Sequence, residues 1–209
     1  DELPEFRRNV LEVLRQPLED GFVTVSRAAM NVTFPSRFIL AAAMNPCPCG
    51  YRGDPVRGCG CDDLGVARYL ARISGPLLDR IDLHLSVPAV TYGDLAGGAG
   101  GETSAEIRSR VEAARARQRL RFRGLPGVRT NAEMSAREVR RWCRSGPAAD
   151  SLLRDAVVRL GLSARAYHRV LKIARTIADL SASDEVGSEH VAEAIQYRSL
   201  DRRRSALAP

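Results

Sequence analysis

The sequence predicts an α/β domain followed by an all-α domain. Short β-branched and apolar runs typical of strands occur before residue 92, whereas every segment after residue 103 carries apolar residues at helical spacing. Residues 93–103 are rich in glycine and are predicted to form a flexible linker between the two patterns. We therefore expect domains at residues 1–92 and 104–200, and a frayed tail at residues 201–209.

The first domain is predicted to begin with a helix and a β-hairpin. Apolar residues at three- and four-residue spacing indicate a helix over residues 5–19, which Pro17 should end or bend because proline donates no backbone hydrogen bond. A turn at Gly21 leads into a β-rich run at residues 22–26. Residues 30–34 can pair with that run as its hairpin partner.

Two more strands are predicted, one on each side of a cysteine-rich loop. Residues 38–44 form a short apolar run bounded by polar residues, which is typical of a buried strand in a parallel sheet. Residues 83–87 alternate between apolar and polar side chains and end at Pro88. Between these runs, residues 46–62 are rich in glycine and proline and are predicted to be loop, and residues 65–73 to be helical.

The second domain is predicted to be a bundle of five helices. Most of the predicted helices follow a serine or threonine whose hydroxyl can accept the first unpaired backbone N–H groups. The second and third are separated by a Gly-Pro pair, and a glycine stops the third. The predicted ranges are 105–122, 136–143, 147–160, 164–180 and 189–200.

The charge balance limits both the partners and the phosphate sites of the chain. The sequence carries 32 Lys and Arg residues against 25 Asp and Glu, a net charge of +7. Lys172 is its one lysine, so the basic residues are almost all arginine. A GC-rich genome explains this simply, and a polyanionic partner such as DNA is the alternative. Lys172 lacks the glycines of G-x-x-x-x-G-K-[ST], so the sequence contains no Walker A phosphate cradle.

The sequence also gives no sign of membrane insertion or export. It contains no run of 18 apolar residues, the minimum for a membrane-spanning helix. Residues 1–5 are acidic and are followed by no apolar signal region. We therefore expect a cytoplasmic protein without a membrane partner.

Four of the five cysteines lie close together in the predicted loop. Their pattern is two C-x-C pairs, and such clusters favour metal over disulfide in a reducing compartment. Four thiolates suit a structural Zn²⁺ and leave it no open position for catalysis. Reduced loop thiols and an adventitious disulfide are the alternatives. The four residues are Cys47, Cys49, Cys59 and Cys61.

Three polar residues are candidates for a nucleotide-hydrolysis site. Asp1 and Glu2 form an acidic pair of the kind that holds Mg²⁺ and activates water, although an acidic pair at this position is most often plain surface. Asn45 directly follows the predicted strand 38–44, where an amide can orient a water or contact a terminal phosphate. A cap on the turn before Pro46 is the alternative for Asn45.

Two arginines are candidates for contact with phosphate. Arg80 lies between Asp79 and Asp82, which indicates either a local ion pair or an arginine finger that reaches the nucleotide of a neighbouring subunit. Arg165 lies at a predicted helix N-terminus, where anions are favoured, and otherwise is an ordinary solvated residue. Arg169, one turn further on, is a weaker candidate.

These elements, in this order, resemble one family. The string Asp1-Glu2-Leu3-Pro4-Glu5-Phe6 resembles the end of a Walker B motif, and Ala43-Met44-Asn45-Pro46-Cys47-Pro48-Cys49-Gly50 resembles a sensor 1 segment. Residues 74–82 resemble an arginine-finger segment, and residues 163–180 a sensor 2 helix. The set is similar to the magnesium-chelatase-like AAA+ ATPases of the ComM type over residues 1 to 200.

The resemblance implies roles for these residues and a partial AAA+ P-loop core with a C-terminal helical lid. Asp1 would help to coordinate Mg²⁺ and Glu2 would be the catalytic base. Asn45 would be sensor 1, Arg80 the finger acting on an adjacent protomer, and Arg165 or less favourably Arg169 sensor 2.

The resemblance further implies a hexameric ring that uses ATP and Mg²⁺. Its activity would be DNA branch migration by an ATP-driven helicase in natural transformation. A chelatase-type motor that remodels a partner protein is one alternative. A non-enzymatic, zinc-stabilised module that binds nucleic acid is the other. Because Walker A is missing, we expect a C-terminal part of a longer protein that does not hydrolyse ATP alone.

A run of arginines follows the predicted linker on the first helix of the second domain. It indicates either a solvated helical face or a contact with DNA or nucleotide. Few aromatic residues lie among the arginines, so base stacking is not predicted there. The run comprises Arg108, Arg110, Arg115, Arg117, Arg119, Arg121 and Arg123.

Overall fold

The computed structural model describes residues 1–27, 30–88, 90, 92–96 and 101–198. The predicted tail and residues 97–100 of the predicted linker lie outside this set. Contacts divide the chain into two units, Asp1–Ile81 and Asp82–Pro209. The division falls before Asp82 rather than within residues 93–103, and a short helix, Tyr92–Ala96, lies where that linker was expected to begin.

The N-terminal segment forms a 3-10 turn and two short helices rather than one long helix. The turn covers Leu3–Glu5, and helices α1 and α2 cover Arg8–Val13 and Arg15–Asp20. The break at Leu14 is expected because Pro17 lacks the N–H that would bond to the carbonyl of residue 13. The prediction that Pro17 interrupts the helix is thus correct, with the interruption three residues before the proline.

The β-hairpin follows as predicted. Strands β1, Phe22–Arg27, and β2, Met30–Pro35, pair antiparallel, with Phe22 opposite Pro35 and Arg27 opposite Met30. Gly21 ends α2 with a φ of 72°, the left-handed conformation that glycine adopts without strain. Most hairpin residues are exposed on both faces, so the hairpin projects from its unit.

The two other predicted strands are wrong for this chain. Residues 38–44 are apolar but form no strand, and most of their side chains are exposed. Among the described residues, the one regular sheet is the two-stranded hairpin, so this run has no parallel neighbours to satisfy its backbone groups. Residues 83–87 contribute only an isolated bridge between His84 and Arg198. In both cases the local pattern is strand-like, but no regular strand within the described ranges pairs with it.

A small core holds the first unit together. Helix α3, Asp63–Leu70, begins where the Asp62 side chain accepts the N–H of Gly65, and the short helix α4, Gly75–Leu78, follows. Apolar side chains of α1, α3 and α4 are buried, and so is one loop cysteine. The buried set includes Leu11, Cys47, Val66, Tyr69, Ile73, Leu77 and Leu78.

The second unit contains the five predicted helices in the predicted order. Serine or threonine caps start three of them, as the sequence indicates. The last helix ends at Gln196, earlier than predicted, and the described Tyr197 and Arg198 follow it outside the helix. Residues 199 and 200 of its predicted range lie outside the described set. After the short α5, Tyr92–Ala96, the helices are α6 Ser104–Arg121, α7 Ala136–Trp142, α8 Pro147–Leu160, α9 Ala164–Leu180 and α10 Ser188–Gln196.

Helix α9 is the centre of this bundle. It contacts α6, α7 and α10, and its inner face is buried at three- and four-residue spacing. Val170, Ala174 and Ala178 are each fully buried against residues of the neighbouring helices. Cys143 lies in the same core, and burial raises the pKa of its thiol to about 12.

A buried carboxylate fixes α9 to α6. The Asp179 side chain is fully buried and accepts hydrogen bonds from both terminal nitrogens of Arg121, one at 2.7 Å. Asn131 donates to it at 2.8 Å, and Arg175 lies 3.1 Å away. Burial alone would raise the pKa of Asp179, but Arg121 and Asn131 outweigh it and hold the pKa below its usual value.

We expect Asp179→Ala to lower the free energy of unfolding of the second unit by about 3–5 kcal/mol, because Arg121 and Arg175 would lose their buried counter-charge. Asp184→Ala is the matched control, since that carboxylate pairs with Arg117 but is 92% exposed. The control should cost less than about 1 kcal/mol. Urea unfolding followed by fluorescence of Trp142, the chain's one tryptophan, measures both. Equal losses of stability in the two variants would contradict the assignment of Asp179 as a buried counter-charge.

Candidate functional site

The acidic pair and Asn45 lie close together in the first unit. The N–H of Leu3, directly after the pair, donates to the carbonyl of Ala43 at 3.0 Å. This bond places Asp1 and Glu2 beside the segment that ends at Asn45. All three polar residues are exposed. Carboxylate and amide oxygens suit Mg²⁺ and its bound waters, so the chemistry of the group fits a magnesium nucleotide.

The backbone around these residues is held by the elements that follow. Glu2 has a φ of 52°, a left-handed conformation that is uncommon outside glycine, and its N–H donates to the Asp1 carboxylate at 2.8 Å. The Tyr69 ring of α3 is buried beneath the segment. Burial raises the pKa of Tyr69 above its usual value, and a hydrogen bond with the backbone of Asn45 opposes that rise.

Arg80 is buried in the first unit and fully engaged there. It forms an ion pair with Glu19 of α2, and its Nε donates to the carbonyl of Arg15 at 3.1 Å. A third bond runs from Nη1 to the carbonyl of Pro76 at 2.6 Å. Its side chain is only 6% exposed. Of the two interpretations from sequence, the intramolecular pair is present, but with Glu19 rather than with the flanking aspartates.

The two sensor 2 candidates lie four residues apart on α9, in the second unit. Arg165 is exposed in the first turn of the helix. Arg169 is 20% exposed and forms an ion pair with Asp82, at the start of this unit. Because residues four apart share a helix face, one bound anion could contact both side chains. Arg165 is the more accessible of the two.

The four loop cysteines converge on one point, as their spacing predicts. Their sulfur atoms all lie within 4.8 Å of one another. The Cys47 sulfur is 3.4 Å from that of Cys49 and 3.7 Å from that of Cys59, and the last two are 3.6 Å apart. A tetrahedral metal with bonds of about 2.3 Å to sulfur separates its ligands by about 3.8 Å. The geometry therefore fits a four-thiolate metal centre.

The electrostatics of the cluster also favour a cation. A backbone hydrogen bond at Tyr51, followed by the Cys47 side chain, lowers the pKa of Cys49 to about 6. Although a backbone bond at Cys49 opposes it, the Cys49 side chain and burial raise the pKa of Cys61 to about 12. The cluster can thus hold negative charge at neutral pH but resists full ionisation without a metal. A divalent cation would favour the thiolate form of all four.

The loop between the two cysteine pairs is ordered by its own polar contacts. The Asp54 carboxylate accepts the N–H groups of Val56 and Arg57, each at 2.7 Å. Arg57 donates to the Tyr51 hydroxyl at 2.8 Å, and Arg52 pairs with Asp63 of α3 at 2.8 Å. The loop has few buried apolar groups apart from Cys47, so these contacts and the thiol cluster must supply its order.

Most of the arginines in the run at residues 108–123 have partners within the chain. Arg110 forms a two-bond pair with Glu102, and Arg117 bonds to Asp184 at 2.7 Å. Arg115 donates to Gln118, and Arg121 belongs to the buried Asp179 network. Three others, Arg108, Arg119 and Arg123, are exposed. Four of the seven arginines therefore bond within the chain, and Arg121 is largely buried rather than solvated.

Sequence reasoning missed the partners of the arginines. Glu19 and Arg80 are 61 positions apart, so nothing local predicted their pair. Asp82 was noted only as a neighbour of Arg80, yet it pairs with Arg169.

Among the described residues, no helix is both long and apolar enough to cross a membrane.

Comparison with known protein families finds matches to both parts of the chain. Two family models match, "Magnesium chelatase, subunit ChlI" over residues 1–95 and "Magnesium chelatase, subunit ChlI C-terminal" over residues 101–198. Together they cover almost the whole chain. The first match ends at residue 95, within α5, and the second begins at residue 101.

Several curated relatives match along nearly the entire chain. The "Competence protein ComM" of Haemophilus influenzae and the "Uncharacterized protein YifB" of Salmonella typhimurium are each 45% identical over 97% of the chain. An uncharacterized protein of Mycobacterium tuberculosis is 40% identical over 98% of it. The chain spans about two fifths of the length of these relatives, between 38% and 40%. The chain belongs to the magnesium-chelatase-like AAA+ family, in its ComM-type branch.

Proposed function

We propose that this chain is the C-terminal part of a ring-forming ATPase that drives branch migration of DNA in natural transformation and recombination. The observation that carries the proposal is the bond from Leu3 to Ala43, because it brings Asp1, Glu2 and Asn45 to one place. The resemblance of the chain to a protein named for competence supports the choice of DNA. A protein of the relatives' length that contains this chain is termed the full-length protein below.

The residues of the first unit would act on ATP and water. Magnesium-bound ATP supplies the phosphoryl group and part of the charge neutralisation when it is bound. Asp1 would hold the metal's ligand shell, and Glu2 would accept the proton of the attacking water. Asn45 would orient that water beside the terminal phosphate. The Walker A cradle is absent from this sequence, so another segment must hold the phosphates.

Two arginines would complete the nucleotide site, one from an adjacent copy and one from the helical unit. We propose that Arg80 of one copy neutralises charge on the nucleotide of the adjacent copy. Each site would then need two copies, and a closed ring of six copies would complete every site. Arg165, with Arg169 as the weaker candidate, would contact the bound nucleotide from the helical unit. Residues 104–200 would then act as a lid, whose motion couples hydrolysis to movement along DNA.

We also propose that the cysteine cluster binds one structural Zn²⁺. The sulfur separations of 3.4–3.7 Å support this choice, as does the short loop with little core of its own. Four protein ligands leave no open position, so the metal would have no catalytic part. Its function would be to order the loop directly after Asn45.

A second candidate function is favoured by the family models, which are described by the magnesium chelatase subunit ChlI. In that case the motor would remodel a partner protein, and the same residues would hydrolyse ATP. The two functions differ in what stimulates hydrolysis. A DNA motor couples turnover to DNA, whereas a motor for a protein partner does not.

We expect forked DNA to stimulate ATP hydrolysis by the full-length protein severalfold. Steady-state phosphate release with and without a forked oligonucleotide measures the effect. Glu2→Gln is the control that should abolish both rates. Glu102→Gln, at an exposed carboxylate that pairs with Arg110, is the matched variant and should leave both rates unchanged. Robust hydrolysis that DNA does not change would overturn the DNA proposal in favour of the protein-remodelling function.

A further inference from the structure

A basic cleft lies in the first unit, apart from the acidic pair and the cysteine cluster. It has a volume of about 550 Å³, within the range of about 300–1,000 Å³ typical of ligand sites. The cleft lies between the segment after the 3-10 turn and the C-terminal half of α3. Four arginines and one glutamate line it, and Phe6 contributes the one aromatic ring.

Charge is unevenly distributed around this cleft. Glu5 is the single acidic residue of its lining, and it is already paired with Arg72 at 2.8 Å. Arg72 also donates to the carbonyl of Pro4 at 3.2 Å, so this guanidinium joins the two walls. The other three arginines, Arg7, Arg8 and Arg68, are exposed and carry a net positive charge that the lining does not compensate.

Phe6 distinguishes this cleft from an ordinary basic surface. Its side chain is apolar, yet the residue is 52% exposed among charged neighbours. An aromatic ring beside several guanidinium groups provides a stacking surface for an unpaired base and contacts for the adjoining phosphates. Bases in a duplex are stacked on each other and do not offer that face. The combination therefore selects single strands over duplex DNA.

We propose that this cleft binds single-stranded DNA, with Phe6 stacking on a base and Arg7, Arg8 and Arg68 contacting the phosphates. This inference rests on the proposed DNA-motor function and assigns its nucleic-acid contact to a new place. The arginine run on α6, the site considered from sequence, has mostly intramolecular partners and exposes no aromatic ring in that run. Arg72 positions the wall of the cleft through Pro4 and Glu5.

The first test measures binding of a fluorescent poly-dT oligonucleotide to this chain by anisotropy over a range of salt concentrations, without nucleotide. The triple variant Arg7→Gln, Arg8→Gln, Arg68→Gln should bind at least tenfold more weakly. Its logarithmic salt slope should be smaller by about 2, since each phosphate contact contributes about 0.7 on a single strand. The single variant Phe6→Leu should weaken binding about 5- to 150-fold with an unchanged salt slope, as expected for a lost stacking contact.

The matched control removes the same charge from the arginine run at residues 108–123. Arg108→Gln, Arg119→Gln, Arg123→Gln changes three exposed arginines and should bind poly-dT like the unmodified chain. Equal losses in the two triple variants would overturn the inference, because binding would then follow net charge alone. Unchanged binding by Phe6→Leu would also overturn it. Circular dichroism of each variant verifies that its helices are intact.

The full-length protein separates this inference from the proposed function. If single-stranded DNA stimulates its ATP hydrolysis and the cleft variants lose that stimulation while keeping the basal rate, both proposals are supported. If the unmodified and cleft-variant proteins are stimulated equally, the cleft inference fails and the DNA motor stands. If DNA stimulates neither, while poly-dT still binds in the cleft of this chain, the motor function fails and the binding site remains.

Discussion

Replacing Arg80 by alanine in the full-length protein is expected to lower ATP turnover by about 10³- to 10⁵-fold, the range for loss of an arginine finger, and to leave ATP binding largely intact. The reason is that a finger contacts the nucleotide of the neighbouring copy and acts on transition-state charge. Phosphate release gives turnover, and equilibrium binding of a fluorescent ATP analogue gives affinity.

The buried ion pair of Arg80 makes controls essential. Glu19→Gln removes the partner of Arg80 within its unit but keeps the guanidinium, so it reports any loss caused by a disturbed fold. We expect this variant to retain most of the turnover. Arg80→Lys keeps a charge and should regain little activity, because an ammonium lacks the planar fork. If ATP binding falls in parallel with turnover in Arg80→Ala, the finger assignment is wrong.

Loss of metal from the cysteine cluster is expected to unfold the loop 46–62. In zinc-finger peptides, structural zinc contributes an apparent ~10–16 kcal/mol at neutral pH, and this loop has little core to replace it. The purified chain should contain about one zinc per molecule by mass spectrometry of the native protein. A strong chelator should remove the metal and make the loop susceptible to proteolysis after its exposed arginines.

Two variants and one thiol titration distinguish a zinc site from reduced loop thiols and from disulfides. Cys49→Ser should lower the zinc content well below one per chain, whereas Cys143→Ala should not, since Cys143 lies in the core of the other unit. Thiol titration of the denatured, metal-free chain should find five free thiols. A count of one would indicate two disulfides, and a metal-free chain with a protease-resistant loop would contradict the zinc proposal.

The helices of the second unit could be predicted because their signals are local. The Thr103 and Ser135 hydroxyls and the glutamates three residues later form capping boxes that mark two helix starts. Gly161 adopts a φ of 61° at the end of α8, as a stop signal should. Each of these features depends on residues within a few positions of one another. Periodicity and capping residues were therefore sufficient to predict these helices.

The failures of prediction have a common physical cause. Residues 38–44 have the composition of a buried strand, but a strand needs neighbours that local composition does not reveal. The pair of Arg80 with Glu19 likewise depends on a fold that brings Arg80 to α2, 61 positions away in sequence.

For the candidate site, the sequence predicted the convergence of the cysteines but not the surroundings of the arginines. The spacing of the four cysteines was enough to predict that their sulfurs converge. The basic cleft was missed because Phe6 and Arg68 are distant in sequence and meet only through the fold. The signal available was the adjacent Arg7-Arg8 pair beside an aromatic residue.

The central claim is that ATP is hydrolysed between two copies, with Glu2 from one and Arg80 from the other. The most direct test mixes two full-length variants, Glu2→Gln and Arg80→Ala, each inactive alone. In randomly mixed rings about a quarter of the interfaces would combine an intact Glu2 with an intact Arg80. The account predicts that the mixture recovers ATP hydrolysis at roughly that fraction of the unmodified rate. A mixture as inactive as its parts, under conditions in which the subunits are shown to exchange, would contradict it.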